Sequence, residues 1–161
     1  MLVTKYQQRV YWHIRRMVLD HDDANDVAQN VFIKVWKGLE NFREDSQLYT
    51  WLYRIATNES ITFINSKKRK AAISIDKDKN PLTRKLKSDP YFEGDEIQIN
   101  IQLAIDSLPN KQKVVFELRY YDEMPYEEMS RVLKTSEGAL KASFHHAVKK
   151  VEEFVKSKLN Q

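Results

Sequence analysis

The sequence contains no cysteine, only three glycines and four prolines among 161 residues, and no long apolar run. The absence of cysteine excludes disulfides and cysteine-ligated zinc, and it is typical of proteins from a reducing compartment. No stretch approaches the roughly 20 apolar residues that cross a membrane, and the N-terminus lacks a signal-peptide pattern. We therefore expect a soluble cytoplasmic protein.

The scarcity of helix breakers predicts an all-α fold. No proline precedes Pro81, and apolar residues recur at helical spacing in the segments that follow. We expect helices over 3–18, 22–39, 50–66, 97–108, 110–121, 125–133 and 136–158. The apolar alternation over 97–103 also fits a strand, but the helical neighbours favour a helix.

Residues 67–96 interrupt the helical pattern with blocks of charge and with Pro81, Pro90 and Gly94. Such a composition is typical of a flexible linker. We therefore expect two small helical domains, 1–70 and 97–161, joined by a flexible linker over 71–96. Domains of this size bury little apolar surface, which favours a chain that is held by a larger partner.

Charge is distributed unevenly along the chain, although the net charge is only +4. Residues 1–66 carry a net charge of 0, 67–87 one of +7, 88–132 one of −6 and 133–161 one of +3. Two basic blocks separated by an acidic block indicate two contacts with a polyanion. Solvated tails would give the same pattern, and the sequence leaves both interpretations open.

Residues 123–154 contain two helical segments separated by a short turn, the pattern of a helix-turn-helix motif. Pro125 suits the start of the first helix, and Thr135 or Ser136 can cap the second. The second helix has one apolar face, and the opposite face carries Ala142, His145, His146, Lys149 and Glu153, with Lys141 and Ser143 at the flanks. That face suits either contact with a nucleic acid or simple exposure to solvent.

The adjacent histidines of this helix do not predict a metal site. Neighbouring helical residues diverge by about 100°, whereas two helical histidines that bind one zinc ion are spaced i, i+4. The other histidines, His13 and His21, lie in the first predicted domain. No glycine-rich phosphate loop or metal triad occurs either, which argues against an enzyme, a cofactor and a small-molecule substrate.

The predicted helix over 22–39 places an apolar residue outside its apolar stripe. Ile33 falls on the polar arc, away from the stripe that includes Val35 and Trp36. A single exposed isoleucine is commonplace, but the hydrogen-bonding groups around Ile33 also make it a candidate contact with another protein.

The third helix carries Trp51, Arg54, Asn58 and Asn65 on one face and leads into a basic block, Lys67–Lys70. An aromatic ring, amides and cations suit unpaired bases and their backbone. Trp51 fits a core position equally well, and Tyr49 and Tyr53 could then supply the aromatic ring.

Three segments resemble the signature segments of bacterial RNA polymerase sigma factors of the extracytoplasmic-function (ECF) branch. They are "DDANDVAQNVFIKVW" (22–36), "NFREDSQLYTWLYRIATN" (41–58) and "LPNKQKVVFELRYYDEMPYEEMSRVL" (108–133), in the family's order and spacing. The segment "EGALKASFHHAVKK" is similar to a variant found in Bacteroidetes-like ECF factors. The resemblance implies a sigma region 2-like helical bundle followed by a region 4-like helix-turn-helix.

The resemblance implies that the first domain binds core RNA polymerase and recognises and melts the minus-ten element. The residues that would dock on the polymerase β′ coiled coil are Asp26, Gln29, Asn30, Ile33 and Lys34. The residues that would meet minus-ten DNA are Phe42, Arg43, Ser46, Tyr49, Trp51, Arg54, Asn58, Asn65, Lys67, Lys68 and Arg69. The segment 41–50 would hold a flipped base.

The resemblance further implies that the second domain reads the minus-thirty-five element of promoter DNA and contacts the polymerase β flap. The implied DNA contacts are Lys134, Thr135, Ser136, Lys141, Ala142, Ser143, His145, His146, Lys149 and Lys150. The linker would thread through the polymerase toward the RNA exit path. An anti-sigma factor, which can be membrane-bound, is a further implied partner, and no cofactor or metal is implied.

The sequence departs from the family at several positions. Lys134 stands where the turn often has glycine, Asn30 replaces a usual glutamate, and Glu44 replaces a common glycine in the base-capturing loop. The recognition helix has none of the arginines that relatives often carry there, so it lacks the bidentate donor typical of guanine readout.

The leading hypothesis from the sequence is a promoter-specificity subunit of RNA polymerase that performs no covalent chemistry. The alternative is a stand-alone helix-turn-helix regulator, or an RNA-binding helical protein, that never contacts polymerase. Ile33 and its polar neighbours distinguish the two hypotheses, because only the polymerase subunit needs that surface.

Overall fold

The computed structural model describes residues 2–42, 48–73, 86 and 94–160. Within these ranges the backbone is helical or turn-like and contains no strand. The helices with defined bounds are α1 (Leu2–Val18), α2 (His21–Gly38), α3 (Leu48–Ile73), α4 (Glu96–Asp106), α5 (Asn110–Tyr120), α6 (Tyr126–Leu133) and α7 (Glu137–Leu159). The predicted all-α fold is confirmed, and the ambiguous segment after residue 96 is a helix.

Helix α3 extends beyond its predicted end at Ser66 and continues to Ile73, so that prediction is wrong. The chain has neither glycine nor proline between Gly38 and Pro81, and lysine, arginine and alanine after residue 66 are good helix formers. The basic block Lys67–Lys70 is therefore helical. The expected linker 71–96 overlaps the end of α3, and most of it lies outside the described residues.

Helices α1, α2 and α3 pack against one another in pairs and form the N-terminal unit. Its buried apolar side chains are Val10, Ile14, Met17, Ala24, Val27, Ala28, Val31, Val35, Leu52, Tyr53 and Ala56. Asp20 caps α2, because its side chain accepts hydrogen bonds from the backbone N–H groups of Asp22 and Asp23 at 2.8 and 3.2 Å. This cap fixes where α2 begins.

A buried histidine lies inside the N-terminal unit. His13 is completely buried, and its Nε2 lies 2.9 Å from Oγ1 of Thr57 on α3. Burial, with the charge of Arg16 as a second cause, lowers the pKa of His13 from 6.5 to about 3. His13 is therefore neutral at physiological pH and joins α1 to α3 as a polar core residue.

Helices α4, α5 and α7 pack together in the C-terminal unit. Ile105, Leu108, Phe116 and Ala147 form its buried cluster, with Ile101, Tyr121, Phe144, Val148 and Val151 packed around it. The Phe116 ring stacks on Phe144, with centroids 5.9 Å apart. These contacts bury the apolar face of α7, and its other face is exposed to solvent.

Candidate protein and nucleic-acid interfaces

Four residues that the sequence assigned to a protein partner lie exposed on one face of α2. They are Asp26, Gln29, Asn30 and Ile33, at helical positions i, i+3, i+4 and i+7. The buried residues Val27, Val31 and Val35 lie on the opposite side of the helix. Ile33 consequently keeps 52% of its surface exposed.

Trp36 belongs to the same exposed face, and its predicted place in the apolar stripe is wrong. Its exposed fraction is 69%. Trp36 follows Ile33 by three residues and Gln29 by seven, and this helical spacing was the available signal. The exposed residues Asp26, Gln29, Asn30, Ile33 and Trp36 are called the α2 surface below.

A groove between α1 and α2 borders the α2 surface. Its volume is about 1060 Å³, and its lining includes Gln8 and Tyr11 from α1 and Phe32, Ile33 and Trp36 from α2. The groove gives a partner a concave apolar site beside exposed amides and a carboxylate, a composition typical of protein interfaces.

Lys34, the fifth predicted polymerase contact, lies at the edge of this face. Its ammonium forms an ion pair with the carboxylate of Glu59 on α3. Lys34 is exposed and Glu59 is half-buried. The charge of Lys34 is thus partly used within the N-terminal unit.

The predicted minus-ten residues occupy different environments. Asn58, Asn65, Lys68 and Arg69 are exposed along α3, whereas Phe42, Tyr49, Trp51 and Arg54 are half-buried. Arg43 and Ser46 lie outside the described residues, as does Glu44. Asn58, Asn65 and Arg69 share one side of α3, because their spacings of seven and four residues repeat the helical turn.

Trp51 packs inside the N-terminal unit with part of its ring exposed. Its ring centroid lies 5.1 Å from that of Phe42. A Cβ atom added to Gly38 would lie only 2.8 Å from Cζ2 of Trp51, so the ring rests directly on the Gly38 backbone. These contacts give Trp51 a packing role, and Tyr49 is the other half-buried aromatic candidate for stacking.

Lys67 lies on the side of α3 that faces α2. It is nine residues after Asn58, which places it about 180° around the helix from that asparagine. Its Nζ lies 2.6 Å from Oδ2 of Asp23 in the first turn of α2. Of the basic block, Lys68 and Arg69 are thus better placed than Lys67 to share a surface with Asn58.

Tyr49 is held by aromatic and cationic neighbours that the sequence did not reveal. Its ring centroid lies 5.0 Å from that of the buried Tyr53 and 5.9 Å from that of Tyr6 on α1. Cζ of Arg9, also on α1, lies 5.6 Å from the Tyr49 ring centroid. Only the packing of α1 on α3 brings these residues together, so no local pattern could have found them.

The predicted recognition helix α7 presents a continuous polar face. Along this face Lys141, Ala142, His145, His146, Lys149 and Lys150 are exposed, as is Glu153 further along the helix, and Ser143 is half-buried beside them. Ser136 caps the helix, since its Oγ accepts a hydrogen bond from the backbone N–H of Ala139 at 3.3 Å. The α7 surface is defined below as the predicted DNA contacts on this face, namely Lys141, Ala142, Ser143, His145, His146, Lys149 and Lys150.

The turn before α7 has a left-handed residue. Lys134 has a φ of 52°, a conformation that favours glycine because a Cβ atom crowds the backbone there. Glycine would adopt this φ without that crowding, and this chain adopts it with lysine. Thr135 is half-buried in the turn and Lys134 is exposed.

Arg119 and Tyr126 lie beside the α7 surface, although the sequence did not predict them as site residues. Nζ of Lys141 lies 5.7 Å from the Tyr126 ring centroid, and Cζ of Arg119 lies 4.7 Å from the same centroid. The guanidinium of Arg119 also donates a hydrogen bond to the backbone carbonyl of Met124 at 3.2 Å. Arg119 and Tyr126 both fall inside a quoted signature segment, but their proximity to Lys141 depends on tertiary packing.

Two features are absent from the part of the chain that the structure describes. It contains no group of three or more histidine, cysteine, aspartate or glutamate side chains arranged to hold a metal ion. None of its helices is both long and apolar enough to cross a membrane.

Family comparisons match both units. The sigma-70 region 2 model matches residues 2–70, and the sigma-70 region 4 model matches residues 98–151. The chain is 29% identical to the RNA polymerase sigma-H factor of Pseudomonas aeruginosa, over all of this chain and 88% of that protein. It is 30% identical to the ECF RNA polymerase sigma-E factor of Escherichia coli K12, over 91% of this chain and 81% of that protein.

Solved structures have the same fold. The sigma factor RpoE of Bartonella quintana, crystallised with the anti-sigma factor NepR, aligns with a TM-score of 0.69 at 19% identity and covers 96% of this chain and 94% of its own. CnrH, in complex with the cytosolic domain of CnrY, aligns with a TM-score of 0.70 at 18% identity over 97% of this chain and 86% of its own. The chain belongs to the ECF sigma factors, the subunits that bind core RNA polymerase and direct it to specific promoters to initiate transcription.

Proposed function

We propose that three surfaces divide the work of this sigma factor. The α2 surface docks on the β′ coiled coil of core polymerase, with Lys34 at its edge. The exposed side of α3 around Asn58, together with Tyr49, holds the unpaired minus-ten strand. The α7 surface reads the minus-thirty-five element, while the C-terminal unit contacts the β flap.

One observation carries this division, namely the difference in chemistry between the exposed faces of α2 and α7. The α2 surface exposes Ile33 and Trp36 among groups that form hydrogen bonds. Large apolar side chains ringed by polar groups are typical of the centres of protein interfaces. The α7 surface exposes small, basic and imidazole side chains instead, which allow close approach to base edges and phosphates.

We infer an anti-sigma factor as a further partner, because one similar structure is a complex with NepR, an anti-sigma factor. The other contains the cytosolic domain of CnrY, which is consistent with a regulator anchored in a membrane. Such a partner would act in the cytoplasm, where we place this protein. The proposed roles involve binding and DNA opening, and none requires catalysis by the chain itself.

The proposal is tested by selecting genomic DNA fragments that bind tightly to reconstituted holoenzyme. Wild-type protein should enrich fragments that share two short elements at a constant spacing. Asn58→Ala should relax the preference at one position of the downstream element, and Ser143→Ala should alter only the upstream element. Asn160→Ala, which removes an exposed amide at the end of α7, is the matched control. An unchanged downstream preference in the Asn58 variant would contradict the proposed role of α3.

A further inference from the structure

We propose that α1 extends the minus-ten surface and binds unpaired promoter DNA. The proposed contact is the α1 stripe, which consists of Lys5, Arg9, Trp12 and Arg16. This inference rests on the proposed minus-ten role of Tyr49 and assigns a new role to α1. The stripe would stack a base on Trp12 and hold phosphates with its cations.

The first observation is the spacing of these residues. Lys5, Arg9, Trp12 and Arg16 lie at i, i+4, i+7 and i+11, so they share one side of α1. Lys5 and Arg9 are exposed, Arg16 is half-buried, and Trp12 keeps 43% of its surface exposed. At about 1.5 Å per residue the stripe is roughly 16 Å long, which matches at most about five stacked nucleotides at 3.4 Å each.

The second observation is charge. Helix α1 contains no aspartate or glutamate over its whole length, Leu2–Val18. The Trp12 ring packs edge-on against Tyr11, with centroids 5.6 Å apart, and the only charged side chains on α1 are cations, which complements a strand of bases and phosphates. The α2 surface, by contrast, includes the carboxylate of Asp26 and two amides, which suit a protein partner.

The third observation is that the stripe adjoins the aromatic group of α3. The guanidinium of Arg9 lies over the Tyr49 ring at 5.6 Å, and the Tyr6 ring lies 5.9 Å from the same ring. The buried Tyr53 packs edge-on against Tyr49 and tilts against His13, at 5.0 and 5.2 Å. Tyr49 is therefore fixed by its neighbours, and Arg9 connects the α1 stripe to this aromatic group.

The test measures binding of the full-length protein to fluorescein-labelled oligo(dT) by anisotropy, because stacking of this kind tolerates any base. Trp12→Ala should weaken binding by about fivefold or more, the lower limit for loss of one stacked base. Trp12→Phe should restore most of the affinity. Arg9→Gln should lower the slope of log affinity against log salt by about 0.7, the value for one phosphate contact to single-stranded DNA.

Matched variants separate the stripe from general effects of charge and of exposed aromatics. Trp36→Ala removes a more exposed tryptophan from α2, and Lys156→Gln removes an exposed lysine from α7. Both should leave oligo(dT) affinity within about twofold, and Trp36→Ala should instead weaken binding to core polymerase. Circular dichroism checks that each variant is folded.

Two outcomes would overturn the inference. Unchanged oligo(dT) binding by Trp12→Ala and Arg9→Gln would show that the stripe does not meet single strands. Weaker polymerase binding by these variants, without weaker DNA binding, would make the stripe a protein surface. Because the minus-ten role of Asn58 is tested separately by fragment selection, either failure leaves the proposed function standing.

Discussion

The α2 and α7 surfaces belong to helices of similar length, yet they differ in what they expose. On α2, Ile33 and Trp36 are exposed on the side of the helix that faces away from the core. On α7, the large apolar side chains, such as Phe144 and Val148, pack toward α4 and α5, and the outer face exposes lysines, histidines, small residues and Glu153. The comparison teaches that the exposed apolar area, more than the charge, distinguishes a protein-binding helix from a DNA-binding helix here.

The largest expected effect comes from placing a charge on the α2 surface. Ile33→Glu should weaken binding to core polymerase by more than about 30-fold, which corresponds to about 2 kcal/mol for a central interface residue. The fold should be unaffected, since the side chain is already half-exposed. Co-purification with core polymerase provides the measurement.

Ile97→Glu is the matched control for this prediction. Ile97 lies on α4 and is 51% exposed, almost the same as Ile33 at 52%, so the same charge is added at equal exposure. It should preserve co-purification. Equal loss in both variants, or retention in both, would break the contrast between the surfaces.

The second prediction concerns the buried histidine of the N-terminal unit. The pKa of His13 is lowered from 6.5 to about 3. Below pH 6.5 the unfolded chain therefore binds a proton at His13, whereas the folded unit binds it only near pH 3. Stability is therefore complete above pH 6.5 and falls as the pH drops, by about 1.4 kcal/mol per pH unit. Between pH 6.5 and about pH 5 the loss should approach 2 kcal/mol.

Tryptophan fluorescence measures this loss selectively, because all three tryptophans, Trp12, Trp36 and Trp51, lie in the N-terminal unit. Denaturant titrations at each pH give the free energy of unfolding of that unit. The variant His13→Gln should be less stable but should lack most of the slope above pH 5. A wild-type slope that persists in the variant would assign the effect to other groups.

The third prediction concerns the phosphate contacts of the α7 surface. Lys149→Gln and Lys150→Gln should each weaken duplex promoter binding several-fold and lower the salt slope by about 0.9. The weakening should be similar for all promoter sequences, because phosphate contacts carry no base information. Lys37→Gln on α2 serves as the control and should leave the slope unchanged. Salt titrations by anisotropy give both quantities.

The smallest expected effect comes from the turn before α7. Lys134→Gly should stabilise the protein by up to about 1 kcal/mol, because glycine adopts a positive φ without crowding. Lys134→Ala keeps the Cβ atom and should bring no gain. Thermal unfolding followed by circular dichroism compares the two, and equal stability of both variants would show that the left-handed turn costs the lysine nothing.

Regular amphipathic patterns made much of the fold predictable. The helices, the helix-turn-helix and the exposed face of α7 follow from spacing, capping residues and the scarcity of glycine and proline. The apolar character of Trp36 predicts a core position, but its place on the helix, close to Gln29 and Ile33, puts it on the exposed face. The block of charge after Ser66 predicts an early end of α3, but lysine and arginine propagate helices well, and the helix continues to Ile73.

The contacts between helices were not predictable from local patterns. The pairing of Lys67 with Asp23, the ring of Trp51 on Gly38, and the approach of Arg9 to Tyr49 each join residues far apart in sequence. They decide which predicted residues remain available to a partner. The proposed DNA and polymerase contacts, and the Bacteroidetes-like source, stay predictions.

Run-off transcription tests the central claim most directly. Purified protein is added to core RNA polymerase with genomic fragments as templates, and the transcripts are mapped at their 5′ ends. The account predicts transcripts with defined starts that depend on this protein, and that disappear with Ile33→Glu but persist with Ile97→Glu. A core enzyme that starts at no site when the wild-type protein is present would contradict it.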